Sequence, residues 1–225
     1  MIRRTRQQVL SRSSSLPFFL SMLALAGLLL NSLTAQAQAP TEKPERYQVD
    51  LIVFESYSTK GWLEEFWPQV TDIIDLDNTV DLTQTAVPPL DIEPSEPMLQ
   101  AVVNRMTKHY RILRHYSWSQ NVIDQKETPE MFIEGADNTS AFYGKMKLYQ
   151  SRFNHVTFNL NFEKAIPTKV RQEFALKQKI SEYDLPATWQ FQLNAKRKIR
   201  SGELHYIDHP LFGILIQIKE IKTTK

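Results

Sequence analysis

Cysteine is absent from all 225 residues of the chain. The sequence therefore holds no disulfide framework, no thiolate nucleophile or metal ligand, and no thiol to carry a lipoprotein anchor. Glycine is scarce, with six residues, and none lies in a phosphate-cradling loop or in a G-x-S-x-G turn that presents a serine nucleophile. A basic-aromatic motif typical of nucleic-acid binding is also missing, so nucleic acid is not an expected partner.

The first 37 residues have the three parts of a secretory signal peptide. Four arginines precede an apolar run over residues 16–30, and Ala35-Gln36-Ala37 follows as a small-x-small cleavage site. The apolar run is shorter than the roughly 20 residues that cross a bilayer. We therefore expect cleavage after Ala37 and export to the periplasm without a stable membrane anchor. An uncleaved N-terminal anchor is the alternative.

Removal of residues 1–37 leaves 188 of the 225 residues, which is enough for one domain with its own hydrophobic core. Residues 38–45 contain two prolines and predict a disordered lead-in, so we expect a single domain over residues 46–225. Charge is uneven within it: residues 38–100 have 3 basic and 13 acidic side chains, whereas residues 164–225 have 12 and 6. Two arrangements are open: the two regions form separate surfaces of opposite charge, or they attract each other within the fold.

Alternation of apolar and polar residues predicts several strands. Residues 47–55 are apolar on both faces, which indicates a central strand that is buried on each side. Residues 110–118 also alternate. Residues 142–151 and 155–162 alternate as a pair, and we expect them to form a hairpin.

One apolar stripe at helical spacing runs over residues 96–109 and follows Ser95, a favoured N-cap residue. We expect this main helix to pack on the sheet. Residues 167–186 favour a further strand, because their apolar residues alternate. Seven to eight strands and one good helix predict an α+β domain built on a mostly antiparallel sheet.

Residues 56–95 form an irregular, acidic insertion in which prolines prevent a continuous helix. Long irregular segments are commonly functional or disordered. Trp62 and Trp67 lie within the insertion, and burial against the sheet is the ordinary fate of tryptophan. The functional alternative is a surface on which sugar or peptide stacks, and we include both tryptophans in the expected contact surface.

A row of polar side chains follows one face of residues 155–162. Thr157, Asn159 and Asn161 alternate with the apolar residues of this strand. A polar face on an antiparallel sheet is usually solvated. A glycan-binding face is the alternative.

Residues 189–218 predict a three-stranded antiparallel meander. Ser201-Gly202 is typical of a two-residue hairpin turn, since glycine supplies the positive φ. Asp208-His209-Pro210 is typical of the second turn. If Arg200 and Glu203 close the first hairpin as an opposite-charge pair, the strands on either side of it pair directly.

His205, Asp208 and His209 form a metal-like cluster, because neutral imidazole and carboxylate are the usual zinc ligands in the absence of cysteine. The spacing does not match a helical H-E-x-x-H site. On an extended strand the two histidines lie about 13 Å apart, so a metal site requires the turn to fold His209 back. Structural histidines beside a turn are the alternative, and we expect no cofactor.

A cationic patch, which consists of Lys196, Arg197, Lys198 and Arg200, lies beside the Ser201-Gly202 turn. Arginine binds carboxylates through paired hydrogen bonds. We therefore expect Arg197, Arg200, Glu203, His205 and Tyr206 to lie at or near a contact surface. A plain solvated strand end is the alternative.

Several motifs resemble those of the CsiV family, periplasmic peptidoglycan-associated cell-shape proteins of gammaproteobacteria. The likeness runs over most of the chain after the signal peptide, and its last motif is long and specific. The resemblance implies a non-enzymatic protein that binds peptidoglycan and supports a class A penicillin-binding protein through its outer-membrane lipoprotein activator. The motifs are Tyr47-Gln-Val-Asp-Leu-Ile-Val-Phe-Glu55, Trp67-Pro68, Tyr110-Arg-Ile-Leu-Arg-His-Tyr-Ser-Trp118 and Arg200-Ser-Gly-Glu-Leu-His-Tyr-Ile-Asp-His-Pro-Leu-Phe-Gly213.

Three functions therefore stay open. A peptidoglycan-binding module without chemistry of its own is favoured by the missing catalytic constellation and by the resemblance. A metal-dependent cell-wall hydrolase would use His205, Asp208 and His209. An envelope adaptor that binds only protein is the third hypothesis.

Overall fold

The computed structural model describes residues 44–82 and 88–222, so the expected signal peptide and nearly all of the expected lead-in lie outside the described residues. Ten strands and three α-helices occur in the described part, with one 3-10 turn between the last two of these helices. No helix in these two ranges is long and apolar enough to cross a membrane. The strands are β1 (Glu45–Ser56), β2 (Val80–Asp81), β3 (Glu93–Pro94), β4 (Tyr110–Val122), β5 (Met131–Ala136), β6 (Ser140–Gln150), β7 (Asn154–Ala165), β8 (Thr188–Ile199), β9 (Leu204–Asp208) and β10 (Phe212–Glu220). The helices are α1 (Lys60–Glu64), α2 (Gln100–Met106) and α3 (Arg171–Gln178).

The strands divide into two five-stranded sheets, which corrects the expected single sheet of seven to eight strands. Sheet A has the order β3-β4-β1-β10-β9 and is antiparallel throughout. Sheet B has the order β2-β5-β6-β7-β8 and is antiparallel except where the short β2 runs parallel to β5. The prediction of a central β1 is confirmed, because β4 and β10 flank it and eight of its twelve residues are buried.

The main hydrophobic core lies between the two sheets. The inner face of β1 meets the inner faces of β7 and β8, and most of these side chains are fully buried. Each such burial contributes about 1.5–3 kcal/mol relative to exposure, so the burial of these apolar side chains is the main contribution that holds the two sheets together. The contributing residues of these three strands are Tyr47, Val49, Leu51, Val53, Val156, Phe158, Leu160, Phe162, Trp189, Phe191, Leu193 and Ile199.

Helix α2 covers part of the outer face of sheet A and forms a second, smaller core. Its apolar residues pack on Ile52 and Phe54, so the predicted packing of the main helix on the sheet is confirmed. The helix is shorter than expected and Ser95 does not cap it. Asp50 of β1 instead accepts the backbone N–H of Leu99 at 2.7 Å, and its other carboxylate oxygen lies 2.5 Å from Nε2 of His115.

The strand expected within residues 167–186 is wrong, because α3 occupies Arg171–Gln178. Its buried residues Phe174, Ala175 and Gln178 recur at helical spacing, and Phe174 packs edge-on against Trp62. The alternation seen in the sequence included Leu176, which is exposed.

The expected meander of three paired strands is also wrong. β8 pairs with β7 at the edge of sheet B, whereas β9 pairs with β10 at the edge of sheet A. The turn at Ser201-Gly202 is present, with φ of 82° at Gly202, but it connects the two sheets at a corner. Glu203 N–H donates to the Arg200 carbonyl at 3.2 Å, and Gly202 N–H donates to the carbonyl of Ile218 on β10. β8 thus continues sheet B beside β7, and its apolar face lies in the main core.

Candidate functional site

The turn over residues 200–205, which we call the C-terminal turn, brings together three of the expected contact residues: Arg200, Glu203 and His205. Arg200 Nη1 lies 3.3 Å from a carboxylate oxygen of Glu203, and both side chains are more than half exposed. The Arg200 backbone N–H donates to Nε2 of His205 at 3.1 Å, so the imidazole is tied to the turn. An exposed pair of this kind adds at most about 1 kcal/mol to stability, which leaves its charges available to a partner.

Tyr206 faces the opposite side of sheet A from His205, because neighbouring residues on a strand alternate. Its ring stacks on Phe54 with centroids 6.1 Å apart, and its hydroxyl donates to Asp208 at 2.5 Å. Partial burial, and then the hydrogen bond to Asp208, raise the pKa of Tyr206. The tyrosine therefore does not share a surface with His205.

Arg197 is exposed near the C-terminal end of β8. Its neighbours Lys196 and Lys198 lie over aromatic rings on the outer face of sheet B, with Lys198 Nζ 3.0 Å from the centre of Phe153 and Lys196 Nζ 5.7 Å from the centre of Tyr149. These cations are held by cation–π contacts.

The structure does not bring His205, Asp208 and His209 together. Asp208 accepts the hydroxyl of Tyr206, while the His209 ring stacks on Phe212. No group of three His, Cys, Asp or Glu side chains within residues 44–82 and 88–222 is arranged to hold a metal ion. His205 and Asp208 are three residues apart on one strand and so face opposite sides of the sheet.

Trp62 is fully buried and packs edge-on against Phe174 and Phe191, so it offers no ring face to a sugar. Trp67 is half-buried and packs against Phe191 and His209. Burial of the His209 ring lowers its pKa to about 4, although the charge of the nearby Asp208 opposes this effect. Along an extended strand, Phe191 and Lys198 are about 23 Å apart, so Trp67 and the cationic patch do not border one groove.

Four cavities follow one another along the molecule, each sharing lining residues with the next, and we call this row of cavities the lateral groove. The first, of 360 Å³, lies between residues 67–72 and β8, and the next, of 220 Å³, shares Gln69, Val70 and Gln190 with it. A third cavity of 250 Å³ shares Glu163 and Thr188 with the second. The fourth, of 330 Å³, shares Thr139 and Ala165 with the third. The lateral groove thus runs from Trp67 to the end of the main core.

The fourth cavity, the end cavity, has a charged floor. Glu55 is 2% exposed, and one of its oxygens accepts Lys164 Nζ at 2.8 Å and the hydroxyl of Ser140. Its other oxygen lies 3.1 Å from Nη1 of Arg111, which also contacts Asp137 at 2.8 Å. Burial lowers the pKa of Arg111, but the two carboxylates outweigh this and raise it above its ordinary value. The ion pair joins the two sheets where the core ends.

An acidic strap (residues 68–79) passes over the outer face of sheet B. It borders Glu163 and Gln190 near its start and Tyr143 near its end, and it then leads into β2 at the opposite edge of the sheet. Asn161 on this face is 3% exposed, and its amide oxygen has no hydrogen-bond partner among the described residues. Its nitrogen donates to the Tyr143 hydroxyl at 3.2 Å. The predicted polar row is therefore present, and its residue Asn161 is buried.

Glu55, Lys164 and Arg111 were not among the residues expected from the sequence. The sequence does indicate two of them. Glu55 lies two residues after the inward-facing Val53, and Lys164 lies two residues after the inward-facing Phe162, so both occupy inward positions of their strands. A charged residue in an inward position of a buried strand needs a partner across the core. Arg111 has no comparable signal, because its place opposite Glu55 depends on the register of β4.

Comparison with known proteins gives one result. A family described as "Peptidoglycan-binding protein, CsiV" matches residues 18–221. Neither the curated proteins nor the solved structures gave a match. Because the match covers nearly the whole of the 225-residue sequence, the chain belongs to the CsiV family of peptidoglycan-binding proteins.

Proposed function

We propose that the chain is a non-enzymatic periplasmic protein that binds peptidoglycan in the lateral groove. The observation that carries the proposal is the row of four cavities with shared lining residues, from Trp67 to Glu55, in a member of a peptidoglycan-binding family. A polymer needs an extended site, whereas a small substrate needs one enclosed pocket.

The lining of the lateral groove suits a glycan. Its first two cavities present the amide side chains of Gln69, Gln190 and Gln192, which donate and accept hydrogen bonds to sugar hydroxyl and acetamido groups. The half-buried Trp67 adds an aromatic wall. This combination of apolar surface with a few polar groups fixes the orientation of a ligand without chemistry.

Sedimentation with purified sacculi tests this function. We expect protein purified from the periplasm to pellet with sacculi, and we expect Gln69→Ala with Gln190→Ala to reduce retention about tenfold through the loss of two hydrogen-bonding groups. Gln125→Ala is the matched control, because this exposed side chain lies outside the groove. Protein that stays wholly in the supernatant contradicts the binding function, and release of soluble muropeptides contradicts its non-enzymatic character.

We also propose that the protein supports a class A penicillin-binding protein through an outer-membrane lipoprotein activator, and that the C-terminal turn faces this partner. The turn presents Arg197, Arg200 and Glu203 as exposed charges. Gly202 bonds to Ile218, which pairs with Val49, so the turn is about 20 Å from Glu55 along β1 and leaves the lateral groove free.

Site-specific photo-cross-linking in intact cells tests the partner. A photoreactive residue at Glu203 is expected to form an adduct with the lipoprotein activator, whereas the same residue at Glu182, an exposed position after α3, is not. The absence of any such adduct from the turn contradicts the proposed orientation.

A further inference from the structure

The end cavity contains a buried charge network that the glycan-binding function does not use. Lys164 is 8% exposed and Glu55 is 2% exposed, and they lie on the two different sheets. A buried ion pair is weak evidence for stability, because the desolvation of both charges offsets their attraction. A pocket that keeps such a pair at its floor is therefore a candidate binding site.

The lining of the end cavity favours an anion. Lys164, Lys169 and Arg111 supply three positive charges, against the two negative charges of Glu55 in the lining and of Asp137, which contacts Arg111. Six hydroxyl groups add hydrogen-bond donors around them, and they belong to Ser56, Tyr57, Ser58, Thr59, Thr139 and Thr168. The surplus of cations and donors at one place attracts an ionised carboxylate.

Arg111 is positioned to take part in binding. Its contacts with Glu55, Asp137 and Thr139 all use Nη1. The guanidinium carbon lies 5.5 Å from the centre of the exposed Tyr57 ring, at the cavity wall. Since a guanidinium has five donors in a planar fork, the groups on Nη2 and Nε can face a further carboxylate, in addition to those of Glu55 and Asp137.

The remaining walls suit a short peptide with small side chains. Ala165, Ile166 and Pro167 form an apolar side, and the buried Trp62 borders the cavity. The indole N–H of Trp62 has no acceptor among the described residues. The cavity volume of 330 Å³ is at the lower end of the range of small-ligand sites, which fits the end of a peptide.

We propose that the end cavity binds the free C-terminal carboxylate of a peptidoglycan stem peptide, while the glycan lies in the other three cavities of the lateral groove. This inference rests on the proposed function. The carboxylate pairs with Arg111 and Lys169, and the last residues of the stem peptide contact the apolar wall. The protein then recognises peptide ends that are not consumed in cross-links.

Calorimetric titration of the periplasmic protein with defined soluble muropeptides tests the cavity separately from sacculus binding. The probes are a disaccharide-tetrapeptide with a free C-terminal carboxylate, the same molecule with a C-terminal amide, and the disaccharide alone. We expect the carboxylate form to bind at least about tenfold more tightly than the amide, because a charge-assisted contact is lost. Inorganic phosphate is the competitor that identifies a general anion site.

Lys169→Gln is the first variant, because Lys169 is exposed and its replacement leaves the fold intact. It should reduce the preference for the carboxylate form several-fold, and Arg111→Gln should abolish it. Lys126→Gln, at the opposite end of sheet B, is the matched control. Equal affinity for carboxylate and amide overturns the inference, as does displacement by millimolar phosphate. If the protein still sediments with sacculi in either of these two cases, the proposed peptidoglycan-binding function stands without the carboxylate site.

Discussion

The rings of Phe54 and Tyr206 stack across Gly213 on the outer face of sheet A. Their centroids are 6.1 Å apart and their planes differ by 19°. Phe54 is 4% exposed, whereas Tyr206 is half exposed. A glycine between them leaves room for both rings, so the tyrosine that the sequence assigned to a contact surface is also part of the packing.

Gly213→Ala is expected to destabilise the protein by about 1–3 kcal/mol. An added Cβ would lie 2.6 Å from Phe54 Cζ and 2.7 Å from Tyr206 Cε2, so at least one ring must move. Urea unfolding followed by fluorescence measures the loss. Tyr206→Phe is the control: it retains the stack and removes only the hydroxyl that bonds to Asp208, and an equal loss in both variants would show that steric overlap is not the cause.

Lys164→Met is expected to lower the free energy of unfolding by about 3–5 kcal/mol, because it leaves the Glu55 carboxylate buried with one cation fewer. The double variant Glu55→Leu with Lys164→Met should be more stable than Lys164→Met, since no buried charge of the pair remains. Equilibrium denaturation of the two single variants and the double variant gives the coupling energy. Additive losses would mean that the pair does not interact across the two sheets.

Period-two patterns predicted the strands well where one face is buried. β1, the β6–β7 hairpin and the packing of α2 all followed from apolar alternation or from a helical stripe. The division into two sheets did not follow, because alternation tells which face of a strand is buried and not which strand lies beside it. The corner at Ser201-Gly202 has the composition of a hairpin turn and the same positive φ, yet it connects different sheets.

The candidate site was less predictable than the fold. Both Trp62 and Trp67 were included in the expected contact surface, and both border the lateral groove, but Trp62 is fully buried. The cavities depend on the path of the acidic strap, which has no periodicity to reveal that it crosses sheet B. The end cavity depends on Glu55 and Lys164, which are 109 residues apart in sequence.

Asp50→Ala is expected to loosen α2 and to cost about 2–3 kcal/mol. The variant leaves the Leu99 N–H and the His115 ring without the carboxylate that binds both of them. Asp50→Asn retains one acceptor and should lose less. Hydrogen exchange of the amides over residues 99–103 measures the effect, and unchanged protection in Asp50→Ala would show that the apolar contacts of the helix are sufficient.

Stability is expected to fall as the pH decreases from about 6.5 to about 4, partly because of His209. Burial lowers the pKa of this imidazole from its ordinary value of 6.5 to about 4 in the folded protein. In this window the unfolded chain binds a proton that the folded chain does not, so the free energy of unfolding decreases with falling pH by up to about 1.4 kcal/mol per pH unit. Above pH 6.5 both states are neutral at this position, and the contribution of His209 no longer changes.

The structural reason is the packing of the ring between Trp67 and Phe212, with its Nδ1 accepting the Leu211 N–H at 3.3 Å. That hydrogen bond requires a neutral ring, so protonation removes it and places a charge against two aromatic residues. Denaturation curves at pH 4.5, 5.5 and 6.5 should therefore be less pH-dependent in His209→Phe than in the native protein. Identical slopes in the two proteins would mean that carboxylates, and not this histidine, cause the acid sensitivity of the fold.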